Sequence, residues 1–287
     1  MFHIPVLLNE VLYYLSPSNG DNIIDATFGY GGHTSAILEK CSNCNVLGID
    51  RDLDVINRAN QIKDKYKDRF NFIHGKFSEV LQSLDCKYNK ILFDFGVSSM
   101  QLDTPDRGFS FSKSGNIDMR MSKEGKSAYD VVNSLSQEDL AEIIWKYGDE
   151  PKSRRIADAI VKYRIKKPIE NTEELRNIIV SVINSKNSHI DVATKTFQAI
   201  RIYVNDELNE IYKALNYLPN ILMNNSIIVT ISFHSLEDRT VKNWGQNNKQ
   251  IVKINNRIIK PSIEEVKSNP RARSAILRAY RYNNDIK

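Results

Sequence analysis

The sequence predicts an α/β protein with a Rossmann-like, doubly wound parallel sheet that is interrupted by an all-helical subdomain. Short apolar runs bounded by turn residues alternate with longer runs of helical period as far as Phe95, which is the βαβ rhythm of a parallel sheet. Strand character then stops until SIIVTISF at Ser226 to Phe233, an apolar run that suits a strand covered on both faces. We therefore expect one sheet domain in two parts, 1–103 and 219–287, around a helical insertion at 104–218.

Each predicted element has its own signal. The first four strands are apolar runs that end at turn residues: Ile23 to Ala26, Asn45 to Asp50, Phe70 to His74 and Lys90 to Phe95. In the insertion, spacings such as Ile156, Ile160 and Tyr163 predict helices with one buried face each. These helices are predicted at Gln137 to Lys146, Lys152 to Lys167, Thr172 to Ile183, Ala193 to Val204 and Asp206 to Leu222.

Composition and cysteine usage limit the class of protein. A chain of 287 residues with 41% hydrophobic and 26% charged content can bury a full core. The first apolar segment, PVLLNEVLYYL, is too short to cross a bilayer, so we expect a cytoplasmic protein without a membrane partner. The three cysteines favour reduced thiols, and Cys41 and Cys44 favour an ordinary loop over a zinc or redox site. No ligand cluster predicts a metal, and nothing predicts an obligatory protein partner.

The net charge of +5 is unevenly distributed. Between positions 251 and 287 nine Lys/Arg face three Asp/Glu, and between 152 and 167 seven cations face Asp158 alone. Clusters of this kind favour a phosphate-rich partner, although solvated helix faces carry similar charge.

A glycine-rich loop follows the first predicted strand, in the stretch DATFGYGGHT from Asp25 to Thr34. Its glycines, which include Gly31 and Gly32, would let main-chain N–H groups approach a ligand closely. Asp50 ends the second predicted strand at the spacing of a carboxylate that accepts both ribose hydroxyls of an adenosine. Loop and carboxylate together predict an adenosine-containing cofactor.

Two cofactors compete for this loop. A dinucleotide fingerprint needs glycine where Thr34 stands, and Asp25 would repel a pyrophosphate. A carboxylate there could order the loop or balance the ammonium group of a methionine moiety. The residues therefore favour S-adenosylmethionine over NAD.

Two further polar residues end predicted strands. Asp94 ends the fourth strand, where a hydrogen-bond acceptor could direct the lone pair of an exocyclic base amine toward a sulfonium methyl group. Alternatively, Asp94 braces its loop. His234 follows the fifth strand and should face Asp94, either as a weak catalytic candidate or as a hydrogen-bonded loop residue.

Several motifs resemble the bacterial methyltransferase H family of small-subunit ribosomal RNA, also called MraW. They occur in family order from residue 3 to about residue 280: HIPVLLNEV, DATFGYGGHT, GIDRD, DFGVSSMQLDTPDRGFSF, NIDMRM, ATKTFQAIRIYVNDEL, ISFHSLEDR and NPRARSAILR. The resemblance implies methylation of a cytidine N4 amine in the decoding region of 16S ribosomal RNA, within the small ribosomal subunit. Departures include Met100 for a usual proline and Lys195 for a usual arginine.

The resemblance also implies site residues. The implied contacts with S-adenosylmethionine are Gly31, Gly32, His33, Asp50, Phe77, Asp94 and Gln101. RGFSFS supplies two aromatic rings, those of Phe109 and Phe111, which could stack on a splayed-out base or fill space beneath a long loop. The expected RNA-backbone contacts are Arg154, Arg155, Arg271 and Arg273.

Two other functions remain open at this point. An NAD-dependent oxidoreductase could use the same sheet and Asp50, and a non-catalytic RNA-binding or ribosome-assembly protein could use both basic runs. Binding of S-adenosylmethionine would argue against each of them.

Overall fold

The computed structural model describes residues 5–183 and 191–285. The described strands are β1 Asn22–Asp25, β2 Asn45–Asp50, β3 Phe70–His74, β4 Tyr88–Asp94, β5 Leu222–Ser232, β6 Ile251–Lys253 and β7 Ile276–Tyr282. The described helices are α1 Leu8–Leu15, α2 Gly32–Lys40, α3 Ile56–Tyr66, α4 Phe77–Gln82, α5 Ser99–Asp103, α6 Ala128–Ser134, α7 Gln137–Gly148, α8 Ser153–Arg164, α9 Thr172–Val182, α10 Thr194–Asn205, α11 Glu207–Tyr217, α12 Ser235–Asn247 and α13 Ile263–Ser268. His3 and Ile4 of the first family motif lie outside this range.

The strands form one sheet in the order β3-β2-β1-β4-β5-β7-β6. The first five strands are parallel to their neighbours, whereas β7 runs antiparallel to both β5 and β6. The predicted α/β fold is confirmed, as are the five predicted strands and the pairing of the fourth with the fifth. The antiparallel pair β6 and β7 was not predicted, because arginines interrupt the apolar run ILRAYRY.

The chain divides into two compact units, the sheet unit (residues 1–96 and 208–287) and the helical unit (residues 97–207). The helical unit begins and ends earlier in the chain than the predicted insertion at 104–218. It includes α5 and α6, two short helices that periodicity could not reveal because each spans fewer than two full turns.

The sheet unit has an apolar core between its sheet and helices, with fully buried residues such as Phe93, Leu215 and Ile228. Two polar contacts add to this packing. Ser78 donates a hydrogen bond of 2.6 Å to the buried carboxylate of Glu210, joining α4 to α11. Asp238 and Arg278 form a two-bond ion pair at 2.7 and 2.8 Å, which ties α12 to β7.

The helical unit has its own apolar core, built from α6 to α10 and from the extended segment that precedes them. Fully buried side chains from α7, α8 and α9, such as Ile144, Ile160 and Ile179, confirm the one-face helical pattern seen in the sequence. The buried amide of Asn205 accepts the Met121 N–H at 2.8 Å and donates to the Met119 carbonyl at 2.7 Å. The irregular segment therefore has its backbone groups satisfied by a side chain of α10.

The structure bears on two further expectations, the lack of a membrane-spanning segment and the loop position of Cys41 and Cys44. No helix in the described part of the chain combines the length and the apolar character that a bilayer span requires. Cys41 and Cys44 are buried free thiols at the end of α2 and before β2. Their sulfur atoms contact main-chain and side-chain oxygens, and Cys44 lies 3.6 Å from the Cys41 carbonyl.

Candidate active site

Three aspartates lie at one edge of the sheet, at the carboxyl ends of β1, β2 and β4. Asp25, Asp50 and Asp94 are the last residues of these neighbouring strands. In open α/β sheets, ligands bind outside this edge where the strand order reverses, here between β1 and β4. The position and the residue types together make this edge the candidate active site.

The glycine loop between β1 and α2 packs closely against neighbouring side chains. Gly31 has a φ of 71°, and a Cβ placed on it would lie 2.3 Å from Ile62 Cδ1 and 2.8 Å from the Phe28 ring. A Cβ on Gly32 would lie 2.4 Å from the Pro5 side chain. Both glycines are therefore required by the protein's own packing.

Asp50 is the carboxylate that braces this loop. Its Oδ2 accepts the Gly29 N–H at 2.7 Å and its Oδ1 accepts the Asp52 N–H at 2.9 Å. Burial raises the pKa of Asp50 to about 6, against the lowering effect of those two hydrogen bonds. Since a carboxylate has about four acceptor positions, each oxygen can still accept a hydroxyl group.

Asp25 is more buried than Asp50, and its side chain bonds to the glycine loop. It is 1% exposed, and its Oδ2 accepts the Thr34 hydroxyl at 2.7 Å. Burial raises its pKa, an effect that the neighbouring His33 and the Thr34 hydrogen bond partly oppose. The loop-ordering role that the sequence suggested for Asp25 is thus visible in its contacts.

Asp94 is placed by the loop that follows β1. Its backbone N–H donates to the Thr27 hydroxyl at 2.6 Å. Its two carboxylate oxygens differ: Oδ2 lies 3.6 Å from His33 Nε2, whereas Oδ1 is buried without a hydrogen-bond partner among the described residues. An unpaired buried acceptor is costly to a protein, and the exposed part of the Asp94 side chain, 24% of it, is open to a ligand.

Phe77 is the first residue of α4, after the carboxyl end of β3. Its half-buried ring packs edge-on against Phe93, with ring centroids 5.7 Å apart. This position is compatible with the implied contact between Phe77 and the cofactor, which stays a prediction.

The His234 side chain contacts residues of the helix that it begins. It is the N-cap of α12, where its Nδ1 accepts the Glu237 N–H at 3.4 Å and its Nε2 lies 3.0 Å from Glu237 Oε1. The Glu237 side chain in turn accepts the Phe233 N–H at 2.7 Å. These contacts match the alternative of a hydrogen-bonded loop residue, and a catalytic role for His234 stays a prediction.

The predicted residues of the helical unit have well-defined surroundings there. Gln101 is buried on α5, and its side-chain oxygen accepts the Ser98 N–H at 2.9 Å in a capping box. Phe109 is 8% exposed and belongs to the unit's apolar core. Phe111 packs against Phe197 with centroids 4.8 Å apart. These contacts match the space-filling alternative for both rings, and base stacking stays a prediction.

The predicted RNA-contacting arginines lie in two places. Arg154 and Arg155 are exposed in the first turn of α8, and Arg271 and Arg273 are exposed in the turn before β7. Arg278 belongs to the same basic run but is 7% exposed and paired with Asp238, so its charge serves the fold.

Two residues of the site were missed by sequence reasoning. Thr27 and Thr34 supply the hydroxyls that position Asp94 and Asp25. Their signal is weak, because a threonine within a glycine-rich turn also suits the turn itself. Only the pairing of β1 with β4 brings Thr27 and Asp94 together.

The topology and the carboxylate edge define a Rossmann-like methyltransferase of the class that uses S-adenosylmethionine. The residues fit that cofactor, because Asp50 retains free acceptor positions for a ribose diol beside a bare main-chain loop. The model of the MraW methylase family matches residues 1–283, and the chain belongs to this family.

Named relatives are similar over nearly their whole length. The chain is 47% identical to ribosomal RNA small subunit methyltransferase H of Rickettsia bellii (strain OSU 85-389), covering 96% of this chain and 97% of the relative. It is 48% identical to the protein of the same name from Rickettsia massiliae (strain Mtu5), with the same coverage. A solved rRNA methylase from Streptococcus thermophilus is 8% identical, with a TM-score of 0.44 over 96% of this chain and 94% of that one.

Proposed function

We propose that this protein transfers a methyl group from S-adenosylmethionine to the exocyclic N4 amine of a cytidine in the decoding region of 16S ribosomal RNA. Family membership and the name of its relatives support the ribosomal RNA substrate. The observation that supports the choice of an amine is Asp94, a carboxylate acceptor at the carboxyl end of β4 whose side chain is 24% exposed. A ribosomal substrate also implies that the protein acts in the cytoplasm.

The amine needs an acceptor because its lone pair is delocalised into the cytosine ring. A carboxylate oxygen that accepts one N4–H localises the lone pair on nitrogen and aligns it for in-line attack. When bound, S-adenosylmethionine supplies an electrophilic methyl group on a sulfonium. The N4–C bond forms as the C–S bond breaks, the C–S electron pair goes to sulfur, and the N4 proton goes to Asp94.

The cofactor would be held by the glycine loop, by Asp50 at the end of β2 and by Phe77 at the start of α4. Asp50 accepts the ribose hydroxyls, the main chain at Gly31, Gly32 and His33 lies along the methionine moiety, and Phe77 contacts the adenine. Asp94 lies at the reacting end, and Gln101 is the further contact that the family pattern implies. Asp25 keeps the loop in shape through Thr34.

The RNA would be held mainly through its phosphates. Arg154, Arg155, Arg271 and Arg273 are exposed cations, which neutralise phosphates and position an RNA without specifying its sequence. Splaying out a single cytidine brings its amine to a recessed methyl donor. Phe109 and Phe111 are the candidate rings for stacking on that base or its neighbour.

The test uses the full-length protein, tritiated S-adenosylmethionine and small ribosomal subunits that lack the modification. We expect label on a cytosine N4 amine, and its loss in Asp94→Asn, which keeps the size of the side chain but replaces one acceptor oxygen by an amide donor. Conversion of RNA to nucleosides followed by mass spectrometry identifies the atom that carries the methyl group.

Three results would contradict the proposal. Label on a ring carbon or a ribose oxygen would remove the need for Asp94 as an amine acceptor. Reduction or oxidation of a substrate with NAD would favour the oxidoreductase, and RNA binding without binding of S-adenosylmethionine would favour a non-catalytic assembly protein.

A further inference from the structure

A groove lies on the surface of the helical unit, between α7 and the start of α8. Its volume is about 730 Å³, within the range of ligand pockets in proteins. The lining includes Glu138, Glu142 and Trp145 from α7 and Arg154 from α8. All four side chains are exposed, so a ligand in the groove can reach each of them. Of these residues, the proposed function uses Arg154 alone.

Trp145 is placed differently from the other tryptophan of the chain. Trp244 is 6% exposed and packs edge-on against Tyr280, with ring centroids 5.8 Å apart. Trp145 is 58% exposed, so most of its indole lies outside the core of the helical unit. An exposed indole offers a flat aromatic face, and RNA-binding proteins use such faces to stack on unpaired bases. The ring type and its exposure therefore favour a planar ligand in the groove.

Positive charge is concentrated at the start of α8, where a helix favours it least. The first turn holds Arg154 and Arg155 and no acidic residue, although the helix dipole is positive at this end. Glu150 precedes the turn, but it is buried and accepts the Lys152 N–H at 2.9 Å. Arg154 forms no ion pair with any residue in the described part of the chain. A phosphate bound here would offset both the side-chain charge and the dipole.

Glu138 and Glu142 bring negative charge to the same groove. They are four residues apart on α7 and so lie on one face of the helix. Carboxylates repel phosphates, but they accept hydrogen bonds from the exocyclic amines of bases, as glutamate does from cytosine N4. The groove therefore has acceptors on α7, an exposed ring at Trp145 and a cation at Arg154. A nucleotide whose base carries an amine has the matching donor, flat ring and anion.

We propose that this groove binds one unpaired, amine-bearing nucleotide of the ribosomal RNA, other than the cytidine that is methylated. The base stacks on Trp145, its amine donates to Glu138 or Glu142, and its phosphate contacts Arg154. Uracil fits the groove less well, because it carries no exocyclic amine. This inference rests on the proposed function, since it takes the ribosomal RNA as the source of the nucleotide.

Short RNAs of four cytidines or four uridines, added to the full-length protein, test the groove directly. Stacking should quench the fluorescence of Trp145, whereas the buried Trp244 supplies a constant background. Excitation at a wavelength that the bases do not absorb keeps the signal specific to tryptophan. We expect the cytidine RNA to bind about tenfold more tightly than the uridine RNA, the scale of one specific contact with a base.

Variants assign each contact, with binding measured by the fluorescence anisotropy of labelled RNA. Trp145→Ala should weaken binding of the cytidine RNA about tenfold, whereas Trp145→Phe keeps a ring and should stay within about threefold of the wild type. Replacing both Glu138 and Glu142 by alanine should remove the preference for cytidine without weakening binding of the uridine RNA. Arg154→Gln should weaken binding of both RNAs. Arg155→Gln is the matched control, because Arg155 is exposed beside Arg154 but does not line the groove.

Three results would overturn the inference: equal affinity for the two RNAs, no quenching of Trp145, or wild-type affinity in Trp145→Ala. Self-association of the wild-type protein that Trp145→Ala abolishes, measured by sedimentation, would also overturn it, because a second copy would then cover the groove.

Failure of the inference can be told apart from failure of the proposed function. With small ribosomal subunits as substrate, Trp145→Ala should raise KM about tenfold and keep kcat within about twofold, since the groove binds RNA away from the reacting atoms. If the wild-type label is found on an atom other than cytosine N4, the proposed function fails. If the label is on N4 and Trp145→Ala keeps the wild-type KM, only the role of the groove is overturned.

Discussion

The carboxyl edge of the sheet unit and the irregular segment of the helical unit differ in how their buried polar groups are bonded. In the sheet unit, Asp94 Oδ1 and both His33 nitrogens are buried at a ligand-binding edge without partners among the described residues. In the helical unit, the Asn205 side chain bonds to the backbone of Met119, Met121 and Arg201. Buried polar groups without hydrogen-bond partners reduce stability but can bind a ligand or take part in catalysis. Buried polar groups that are fully hydrogen-bonded hold a chain segment in place.

The cause of the difference is secondary structure. A parallel sheet satisfies its own backbone, so the side chains at strand ends are available for ligands. The segment from Ile117 to Met121 has no regular structure and needs side chains to satisfy its backbone groups. We therefore expect substitution of Asp94 at the strand edge to affect activity and substitution of Asn205 beside the irregular segment to affect stability.

The largest expected effect is that of Asp94→Asn on kcat. Asp94→Asn removes the charged carboxylate that can take the amine proton, so kcat should fall by about 10³-fold, within the range for a positioned proton acceptor. Because Asp94 Oδ1 has no partner in the described structure, the denaturation midpoint should stay close to that of the wild type. Single-turnover methylation and urea unfolding measure the two quantities, and a large fall in stability would give Asp94 a structural role instead.

Asn205→Ala should lower the stability of the protein and have little effect on kcat. Asn205 is 2% exposed, and its removal leaves the Met121 N–H and the Met119 carbonyl without this partner. Each buried group left unsatisfied costs about 1–3 kcal/mol, so we expect a loss of about 3 kcal/mol, or about 10²-fold in the folding equilibrium. Urea unfolding gives this value, and unchanged stability would show that the amide is not needed to hold the segment.

The sequence predicted the carboxylates of the candidate active site better than the residues that position them or hold the fold. Asp25, Asp50 and Asp94 could be located because each ends an apolar run, and parallel strands bring their ends to one edge. Thr27 and Asn205 could not be found in this way, because their partners are distant in the chain and no local pattern reports them. β6 and β7 were missed for a related reason, since the pairing of β7 with β5 and of β6 with β7 outweighs their weak strand signal.

A smaller effect is expected for the sheet unit in the pH dependence of its affinity for S-adenosylmethionine. Burial raises the pKa of Asp50 to about 6. Ribose hydroxyls donate to the ionised carboxylate, so protonation as the pH falls through this value should weaken binding, by at most about tenfold per pH unit. Calorimetry from pH 5 to pH 8 measures the Kd for S-adenosylmethionine.

The control for that profile is Asp50→Asn, which carries no titrating group at this position. We expect weaker binding and a flatter profile in the variant. If its profile keeps the wild-type shape, the titration belongs to another group, and Asp25 is the first candidate because burial raises its pKa as well.

The smallest expected effect concerns the surface of the helical unit. Arg154→Gln and Arg155→Gln each remove one exposed cation, so each should weaken RNA binding about equally for all sequences. The slope of log K against log salt should fall by about 1 for each arginine that contacts a phosphate. Lys65→Gln is the control, because Lys65 is exposed on α3, paired with Glu39 and outside both basic runs. If the slope changes for Arg271→Gln and Arg273→Gln but not for the α8 variants, the RNA is held by the sheet unit, and the helical unit's cations serve solubility.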